Sequence, residues 1–147
     1  MKKLKKKFME IGRYSQVRFK GIDTLEGNVI EGEGYFYSDD KYYICANLGY
    51  DEMVKRSSTG FAEIKPKTLC NSFGLFDLNG KELFTKDIIK IYDNYAFVAF
   101  DKSLSSYVAC DINDWDSKVL FTNIDEFEIV GSMLVDKVKK FKNKKVN

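Results

Sequence analysis

Turn signals separate short apolar segments along the second half of the chain, and this spacing constrains the fold more than any other feature. The Asn79-Gly80 pair lies between two apolar segments. It is a strong hairpin signal, because a type I′ turn needs two residues with positive φ. Asp93-Asn94 is a second candidate turn, between Ile88–Tyr92 and Tyr95–Phe100. Short strands with a turn about every eight to twelve residues predict a mainly β domain, built as small curled sheets or a small barrel.

Other segments of the second half add strands to this pattern. Ala96–Phe100 is apolar on both faces, which predicts a strand in the centre of a sheet. Further short strands are predicted at Tyr107–Ile112, Val119–Thr122 and Phe127–Val130.

A hairpin is also predicted in the first half. Val29–Tyr37 and Lys41–Ala46 have strand composition, and Ser38-Asp39-Asp40 between them are turn formers. Gly32 and Gly34 inside the first of these strands predict a β-bulge, which small curved sheets use to bend.

Three segments lack a strand period. Leu48–Gly60 is predicted to be a long connecting loop. Met1–Gly12 has apolar residues at spacings of four and three, which favours a short amphipathic helix or a basic arm. Met133–Phe141 is predicted to be a short terminal helix that runs into a polar tail.

The absence of histidine excludes several mechanisms. Without an imidazole there is no Ser-His-Asp or Cys-His system and no histidine ligand for zinc. Cys45, Cys70 and Cys110 are odd in number and widely spaced, which predicts buried thiols and neither a disulfide framework nor a zinc cluster. No phosphate-binding glycine motif is present. We therefore expect no enzymatic activity, no cofactor and no metal site.

The net charge of +2 conceals an uneven distribution. Residues 1–20 carry +7, residues 136–147 carry +5, and the body between them carries −10. Clustered lysines bind phosphate backbones with strong salt dependence, although solvated tails have the same composition, and both interpretations stay open. The candidate polyanion-contacting residues are Lys2, Lys3, Lys5, Lys6, Lys7, Lys137, Lys139, Lys140 and Lys142.

Two other groups of residues suggest a site and have a simpler explanation. The acidic run Asp111–Asp116 begins like a calcium loop, but Trp115 stands where an oxygen ligand is required. We interpret it as a solvated acidic loop that carries an exposed or half-buried tryptophan. The aromatic strands Tyr35–Tyr37 and Tyr42-Tyr43 could stack single-stranded nucleic acid, yet the acidic body favours packing within a sheet.

A pattern in the centre of the chain is more specific. Pro66–Leu69 leads to Gly74–Phe84, and Asp87–Lys90 follows. Together with Phe19-Lys20-Gly21 and Glu128–Gly131, this pattern resembles the YopX-like family, small β-rich proteins carried by bacteriophages and prophages.

The resemblance covers about residues 17–133 and implies both a fold and a division of the chain. The fold is β-rich with a barrel-like, SH3-like C-terminal half, and no established enzymatic activity comes with it. The predicted division is a basic arm at 1–13, a domain at 14–135 with parts at about 14–60 and 61–135, and a basic tail at 136–147.

The residues of the family motif have a local structural role. Asn79-Gly80 forms a turn, Asp77 can accept hydrogen bonds from turn amides, and Asp87 can cap the following strand. Where the family usually has glycine before this second Asp, this chain has Lys86. The turn into that strand must therefore form without a residue that takes positive φ freely.

These observations predict a non-enzymatic phage or prophage accessory protein, in the cytoplasm of a bacterial host, that binds a host protein or nucleic acid. The alternative is a protein that sequesters a small molecule or nucleotide and so counters a bacterial defence system, which requires a pocket where basic side chains converge on phosphate. No apolar run approaches the roughly 20 residues of a membrane helix. Exposed strand edges make a second copy of the chain a reasonable partner.

Overall fold

A computed structural model describes residues 17–51 and 56–142, and for 46–51 and 56–59 it describes the main chain alone. The mainly β class is confirmed. The strands are β1 (Phe19–Ile22), β2 (Val29–Ser38), β3 (Lys41–Asp51), β4 (Arg56–Ile64), β5 (Cys70–Phe76), β6 (Glu82–Phe84), β7 (Asp87–Ile91), β8 (Asn94–Asp101), β9 (Ser106–Asp111), β10 (Lys118–Leu120) and β11 (Glu128–Ser132). They form a six-stranded antiparallel sheet, β4-β3-β2-β1-β5-β6, and a five-stranded antiparallel sheet, β10-β9-β8-β7-β11.

The predicted β2–β3 hairpin is present and has a tight two-residue turn. Ser38 pairs with Lys41, and Asp39 and Asp40 between them have φ of 52° and 64°. Positive φ at both positions is the mark of a type I′ turn, which matches the twist of the flanking strands. The Tyr37 hydroxyl donates to the Asp40 carboxylate at 2.7 Å, which helps to hold this turn without glycine.

The predicted bulge lies in β2 between Gly32 and Gly34, where the pairing register with β3 shifts. A Cβ atom built on Gly32 would lie 1.8 Å from the Cys45 carbonyl oxygen, while one built on Gly34 would meet nothing within 4 Å. Only the first glycine is therefore required by a close approach of two main chains.

The loop predicted at Leu48–Gly60 is wrong for most of its length. β3 continues to Asp51, and β4 already begins at Arg56. Asn47 pairs with Thr59 and Gly49 pairs with Ser58 across a register shift. These residues are polar or small, so hydrophobic periodicity gave no strand signal, and the main-chain ladder alone defines the hairpin.

The first four strands curl so that their ends meet. An isolated bridge joins Asp23 to Ile64, and the Lys65 N–H donates to the Ile22 carbonyl at 2.8 Å. Ile44 and Ile64 fill the inside of this curl and are fully buried. The curl closes over a small core.

The five-stranded sheet has β8 between β7 and β9, as predicted for a strand that is apolar on both faces. Its edge strands, β10 and β11, do not pair with each other in the described chain. Since β10 has only three residues, it offers little ladder for closure, and the C-terminal half is an open sheet and not a closed barrel.

The β7–β8 turn lies one residue earlier than predicted. Ile91 pairs with Asn94, so the loop is Tyr92-Asp93. Tyr92 takes a φ of 52°. Asn94, which we expected in the turn, is the first residue of β8, because its main chain is held in the ladder.

The larger core joins the two sheets. β5 and β6 belong to the six-stranded sheet by their main-chain hydrogen bonds. Apolar side chains from these two strands nevertheless pack against the five-stranded sheet. The buried members of this cluster are Leu83, Ile89, Ala96, Val98, Ala109, Ile124 and Phe127. Along the chain, the main-chain hydrogen bonding passes from the first sheet to the second at Thr85-Lys86, between β6 and β7. The side-chain packing changes earlier, because β5 and β6 already contribute to the larger core.

The terminal helix predicted at Met133–Phe141 is reduced to a single 3-10 turn at Val138–Lys140. Ahead of it, the Asp136 N–H donates to the Ser132 carbonyl at 2.7 Å and the Asp136 carboxylate accepts the Ser132 N–H at 3.0 Å. This local turn uses the groups that a helix would need. The helix predicted near the N-terminus lies outside the described residues. No helix in the described ranges is long and apolar enough to cross a membrane.

Candidate functional site

The Asp77 carboxylate fastens the β5–β6 loop to β11. One oxygen accepts the N–H groups of Asn79 and Lys81 at 2.9 and 2.8 Å. The other accepts the Ile129 N–H at 2.9 Å. A buried carboxylate that binds three main-chain amides is a structural group, because its oxygens are committed to the fold.

The turn beside Asp77 is a hairpin turn of a different type from the one predicted. The Gly80 N–H donates to the Asp77 carbonyl at 3.0 Å, and the Asp77 N–H donates to the Lys81 carbonyl at 2.9 Å. Gly80 has a φ of 78°, while Asn79 is not among the residues with positive φ. The loop has three residues, a type I turn followed by a left-handed glycine. It replaces the type I′ turn because the Asp77 carboxylate draws in the amides of the loop.

Lys86 occupies the position where the sequence pattern usually has glycine, and it adopts the conformation of a glycine. Its φ is 71°. Its N–H donates to the Val98 carbonyl and its carbonyl accepts the Met133 N–H, both at 2.8 Å. These two bonds hold the left-handed main chain against its steric cost.

Asp87 is buried and accepts the Phe84 N–H at 2.8 Å. Burial raises the pKa of Asp87 to about 6, and the hydrogen bond from Phe84 offsets only part of this effect. The Asp87 carboxyl group therefore closes the β6–β7 turn, which is the turn that contains Lys86.

The prediction of buried thiols is confirmed for two of the three cysteines, and the third, Cys45, is half-buried. Cys70 and Cys110 are buried and all three cysteines are free. Burial raises the pKa of Cys70 to about 11. A thiol this far from ionisation is a poor nucleophile at neutral pH.

A cavity of about 290 Å³ lies beside β8, with Phe100, Asp101, Lys102 and Lys118 in its lining. The Lys118 ammonium donates to the Asp101 carboxylate at 2.7 Å. This bond holds the pKa of Asp101 well below its usual value and raises that of Lys118. Arg18 is likewise engaged in an ion pair with Glu31. Two cations that the nucleotide-sequestering alternative could use, Lys118 and Arg18, are thus each paired with a carboxylate.

The structure describes four of the nine candidate lysines. Lys137, Lys139, Lys140 and Lys142 are all exposed. The other five, Lys2, Lys3, Lys5, Lys6 and Lys7, lie outside the described residues.

Phe141 anchors this basic segment to the five-stranded sheet. Its ring is buried with Ile88 and Ile112 and makes an edge-on contact with Tyr95 at 5.2 Å between centroids. Phe141 lies between Lys140 and Lys142, so the main chain at these two lysines is held close to the five-stranded sheet.

The anchored segment places Lys142 beside the only tryptophan. The Lys142 Nζ lies 5.9 Å from the centre of the Trp115 ring. Trp115 is 53% exposed. Its ring makes an edge-on contact with Phe97, with the ring centroids 5.2 Å apart, and this contact fixes its position. An exposed indole next to an ammonium group can stack a planar ring and hold an anion beside it. We call this group, Trp115 with Lys137, Lys139, Lys140 and Lys142, the tail patch.

The acidic loop that carries Trp115 is held by its own carboxylates. Asp111 accepts the N–H groups of Asn113 and Asp114 at 2.8 and 3.2 Å, and Asp114 accepts the Asp116 N–H at 3.2 Å. No three acidic or cysteine side chains in the described ranges are grouped to hold a metal ion. The loop is a scaffold for the tryptophan.

The aromatic strands of the six-stranded sheet divide between its two faces. Tyr35 contacts Phe19 on the inner face, with ring centroids 4.8 Å apart. Phe36 stacks on Tyr43 and meets Phe61 edge-on on the outer face, at 4.9 and 4.8 Å. These contacts are those of side-chain packing within a sheet.

Sequence reasoning treated Trp115 and the tail lysines as separate features. Trp115 and Lys142 are close because Phe141 is buried against the sheet. In the sequence, the signal for this contact was a single aromatic residue within a lysine-rich tail. The three-residue spacing of Val138 and Phe141 predicts that both can face one surface.

Comparison with known proteins gives one result. A search of proteins with curated descriptions finds no match. The family model described as YopX protein matches residues 18–134. These residues contain both sheets and the Asp77 and Asp87 turns, and they end before the basic tail. The chain therefore belongs to the YopX protein family.

Proposed function

We propose that this YopX-family member is a non-enzymatic accessory protein of a phage or prophage that acts in the bacterial cytoplasm by binding a host macromolecule. We propose further that the macromolecule is nucleic acid with an unpaired strand, and that the tail patch binds it. The observation that carries this proposal is the position of Lys142 beside the exposed ring of Trp115.

The chemistry of the tail patch supports this partner. A base can stack on the exposed indole, and each stacked base is worth roughly 1–3 kcal/mol. A phosphate beside that base then lies within reach of Lys142. Lys139 and Lys140 are exposed within three residues of it, and the Lys140 ammonium lies 3.8 Å from Asp136. Bases in a duplex are stacked on each other, so an unpaired strand is the form that can use the ring.

The described side chains offer little support for catalysis. Asp77 and Asp87 are the buried carboxylates, and both accept main-chain hydrogen bonds. Cys70 is held far from ionisation. A binding role uses the exposed aromatic and basic groups and needs none of these.

Tryptophan fluorescence tests the proposal directly, because Trp115 is the only tryptophan in the chain. Titration of the full chain with a mixed-sequence single-stranded DNA should quench this emission. Trp115→Ala should weaken the affinity, followed by fluorescence anisotropy of labelled DNA, by about tenfold or more. Lys142→Ala should lower the slope of log affinity against log salt by about 0.7.

Lys102→Ala is the matched control, since Lys102 is also exposed but lies in the β8–β9 loop. It should change the affinity less than Lys142→Ala does. Binding that is insensitive to Trp115→Ala, or no binding of DNA or RNA at low salt, contradicts the proposal. Saturable binding of a host protein in place of nucleic acid would also overturn it.

The phage or prophage origin is a separate part of the proposal and rests on the family resemblance. The genes that flank the coding sequence test it. Neighbours that encode integrase, replication or packaging proteins are expected, and a purely chromosomal neighbourhood would contradict this origin.

A further inference from the structure

Gly131, in β11, is in close contact with two side chains of the segment that follows this strand. A Cβ atom built on Gly131 would lie 2.7 Å from the Oδ2 atom of Asp136 and 3.3 Å from the Cζ atom of Phe141. Real Cβ atoms essentially never show the first distance, and the second is a tight contact. The missing side chain of Gly131 therefore leaves a gap that Asp136 and Phe141 fill, and a larger residue at this position would displace them.

A β-bulge directs this gap toward the surface on which Phe141 packs. The pairing of β11 with β7 shifts between Ile129 and Gly131, and Gly131 lies opposite Ile88. Residues directly opposite each other in an antiparallel pair share a face of the sheet. Because Ile88 belongs to the buried cluster that contains Phe141, Gly131 faces the same cluster.

The Asp136 carboxylate holds the chain over this gap. Its Oδ2 atom accepts the Ser132 N–H at 3.0 Å, and its Oδ1 atom lies 3.8 Å from the Lys140 ammonium. The Asp136 N–H donates to the Ser132 carbonyl at 2.7 Å. These contacts turn the chain back directly after β11, so that Phe141 returns to the sheet that the chain has just left. We call residues 133–142 the anchored segment.

The contact at the centre of the tail patch joins the anchored segment to the rest of the fold. Lys142 follows Phe141 directly, and its Nζ atom lies 5.9 Å from the centre of the Trp115 ring. Trp115 is positioned by Phe97 of β8, which packs against the same cluster as Phe141. The contact between Lys142 and Trp115 therefore depends on the anchored segment being docked on the sheet.

We propose that Gly131 is a positioning residue for nucleic-acid binding, because its missing side chain lets the anchored segment dock and so brings Lys142 to Trp115. This inference rests on the function proposed above. When only a fraction of a protein is in the binding-competent conformation, its apparent affinity falls by that fraction. A side chain at Gly131 that undocks the segment should thus weaken binding by the tail patch.

Hydrogen exchange of the full chain without nucleic acid tests the docking step. Gly131→Val fills the gap, so the amides of residues 133–142 should exchange about tenfold faster or more, while those of β8, at the centre of its sheet, keep their protection. Gly34→Val is the matched control, because a Cβ atom on Gly34 meets nothing within 4 Å. It should leave exchange in the anchored segment unchanged.

Gly131→Ala is a second variant, which keeps the test decisive if the larger side chain prevents folding. Its single methyl group still meets the Asp136 carboxylate and the Phe141 ring. It should speed exchange in the anchored segment to a smaller extent. Exchange that is unchanged in the folded Gly131 variants overturns the proposal, as does an equal change in Gly34→Val.

The affinity for single-stranded DNA, followed by fluorescence anisotropy, tests the binding step. Gly131→Val should weaken binding by about as much as Lys142→Ala does. Because Gly131 acts through the position of Lys142, the double variant should lose less affinity than the sum of the two single losses. Fully additive losses would show that Gly131 acts apart from Lys142 and would overturn the positioning role.

Trp115→Ala separates a failure of this inference from a failure of the proposed function. If Trp115→Ala weakens DNA binding while Gly131→Val exchanges faster and binds normally, the positioning role alone is overturned. If DNA binding does not respond to Trp115→Ala, the proposed function is overturned, and the role of Gly131 in binding is overturned with it.

Discussion

The two sheets of this protein are held together in different ways. The curl of β1–β4 has two fully buried residues in its cluster, Ile44 and Ile64, and many of its aromatic rings stay exposed. The cluster between β5, β6 and the five-stranded sheet has seven buried residues. The first region is shaped by main-chain geometry and the second by apolar packing.

The amount of apolar packing in each region affects which of its surfaces stay open for binding. A region that buries few side chains leaves a long edge and an aromatic face open, as β4 and Phe61 show. A region with a larger core can anchor an additional segment, as Phe141 does for the basic tail. The proposed nucleic-acid contact therefore lies on the sheet that has the larger core.

The largest effect is expected from the core that joins the two sheets. Leu83→Ala removes a fully buried side chain and should lower the free energy of unfolding by about 2–5 kcal/mol, measured by urea denaturation. Leu78→Ala is the control, because Leu78 is 55% exposed in the neighbouring turn and should change stability by less than about 0.5 kcal/mol. Equal effects would mean that this cluster does not dominate stability.

The main-chain geometry of the first sheet is tested by its two bulge glycines. Gly32→Ala places a methyl group where the Cys45 carbonyl oxygen lies, so it should lower the free energy of unfolding by about 3 kcal/mol. Gly34→Ala, two residues away on the same strand, meets open space and should be neutral. Thermal denaturation of the two variants checks this pair, and a tolerated Gly32→Ala would contradict the close approach.

A pH-dependent effect is expected at the junction of the sheets. The pKa of Asp87 is about 6 in the folded protein against 3.8 for the free group, so the folded state binds the proton more tightly. The stability that this proton contributes is full below about pH 4 and is lost as the pH rises through 6. Asp87→Asn keeps an acceptor for the Phe84 N–H and removes the buried charge. The variant should be more stable than the wild type at pH 7 by about 3 kcal/mol and should lose most of this advantage at pH 4.

Denaturation curves of both proteins at several pH values measure this difference. An advantage that is constant with pH would show that the ionisation of Asp87 does not cause it.

The smallest effect is expected at Lys86. Lys86→Gly removes the steric cost of a φ of 71° and should raise the free energy of unfolding by about 1 kcal/mol. Lys102→Gly is the control at a lysine without positive φ, where the added freedom of the unfolded chain should slightly lower stability. Chemical denaturation distinguishes the two signs, and a destabilised Lys86→Gly would contradict the expectation.

The sequence predicted those elements whose signal is local. Alternating and apolar runs gave the β2–β3 hairpin and the central position of β8, and the paired glycines gave the bulge in β2. It failed where a distant group competes with a local preference. Asn79-Gly80 favours a type I′ turn, but the folded protein has a three-residue loop in which the buried Asp77 carboxylate accepts two loop amides and the Ile129 amide of β11.

The candidate site could be predicted only in part for the same reason. The tail lysines and the tryptophan are visible in the sequence, and their meeting depends on the burial of Phe141 with Ile88 and Ile112, which are distant in the chain. The β3–β4 hairpin beyond Ala46 had no hydrophobic period, so the free edge of β4 could not be assigned from the sequence.

The amino-acid sequence by itself determined the mainly β class, the family, the absence of histidine-based chemistry and the contrast between an acidic body and basic ends. These are properties of composition, of short-range periodicity and of contiguous motifs. The tertiary structure decided which turns form, that β5 and β6 pack into the second core, and which charges meet which rings. Those outcomes depend on side chains that are distant in the chain and close in space, where burial makes each hydrogen bond and each cavity count.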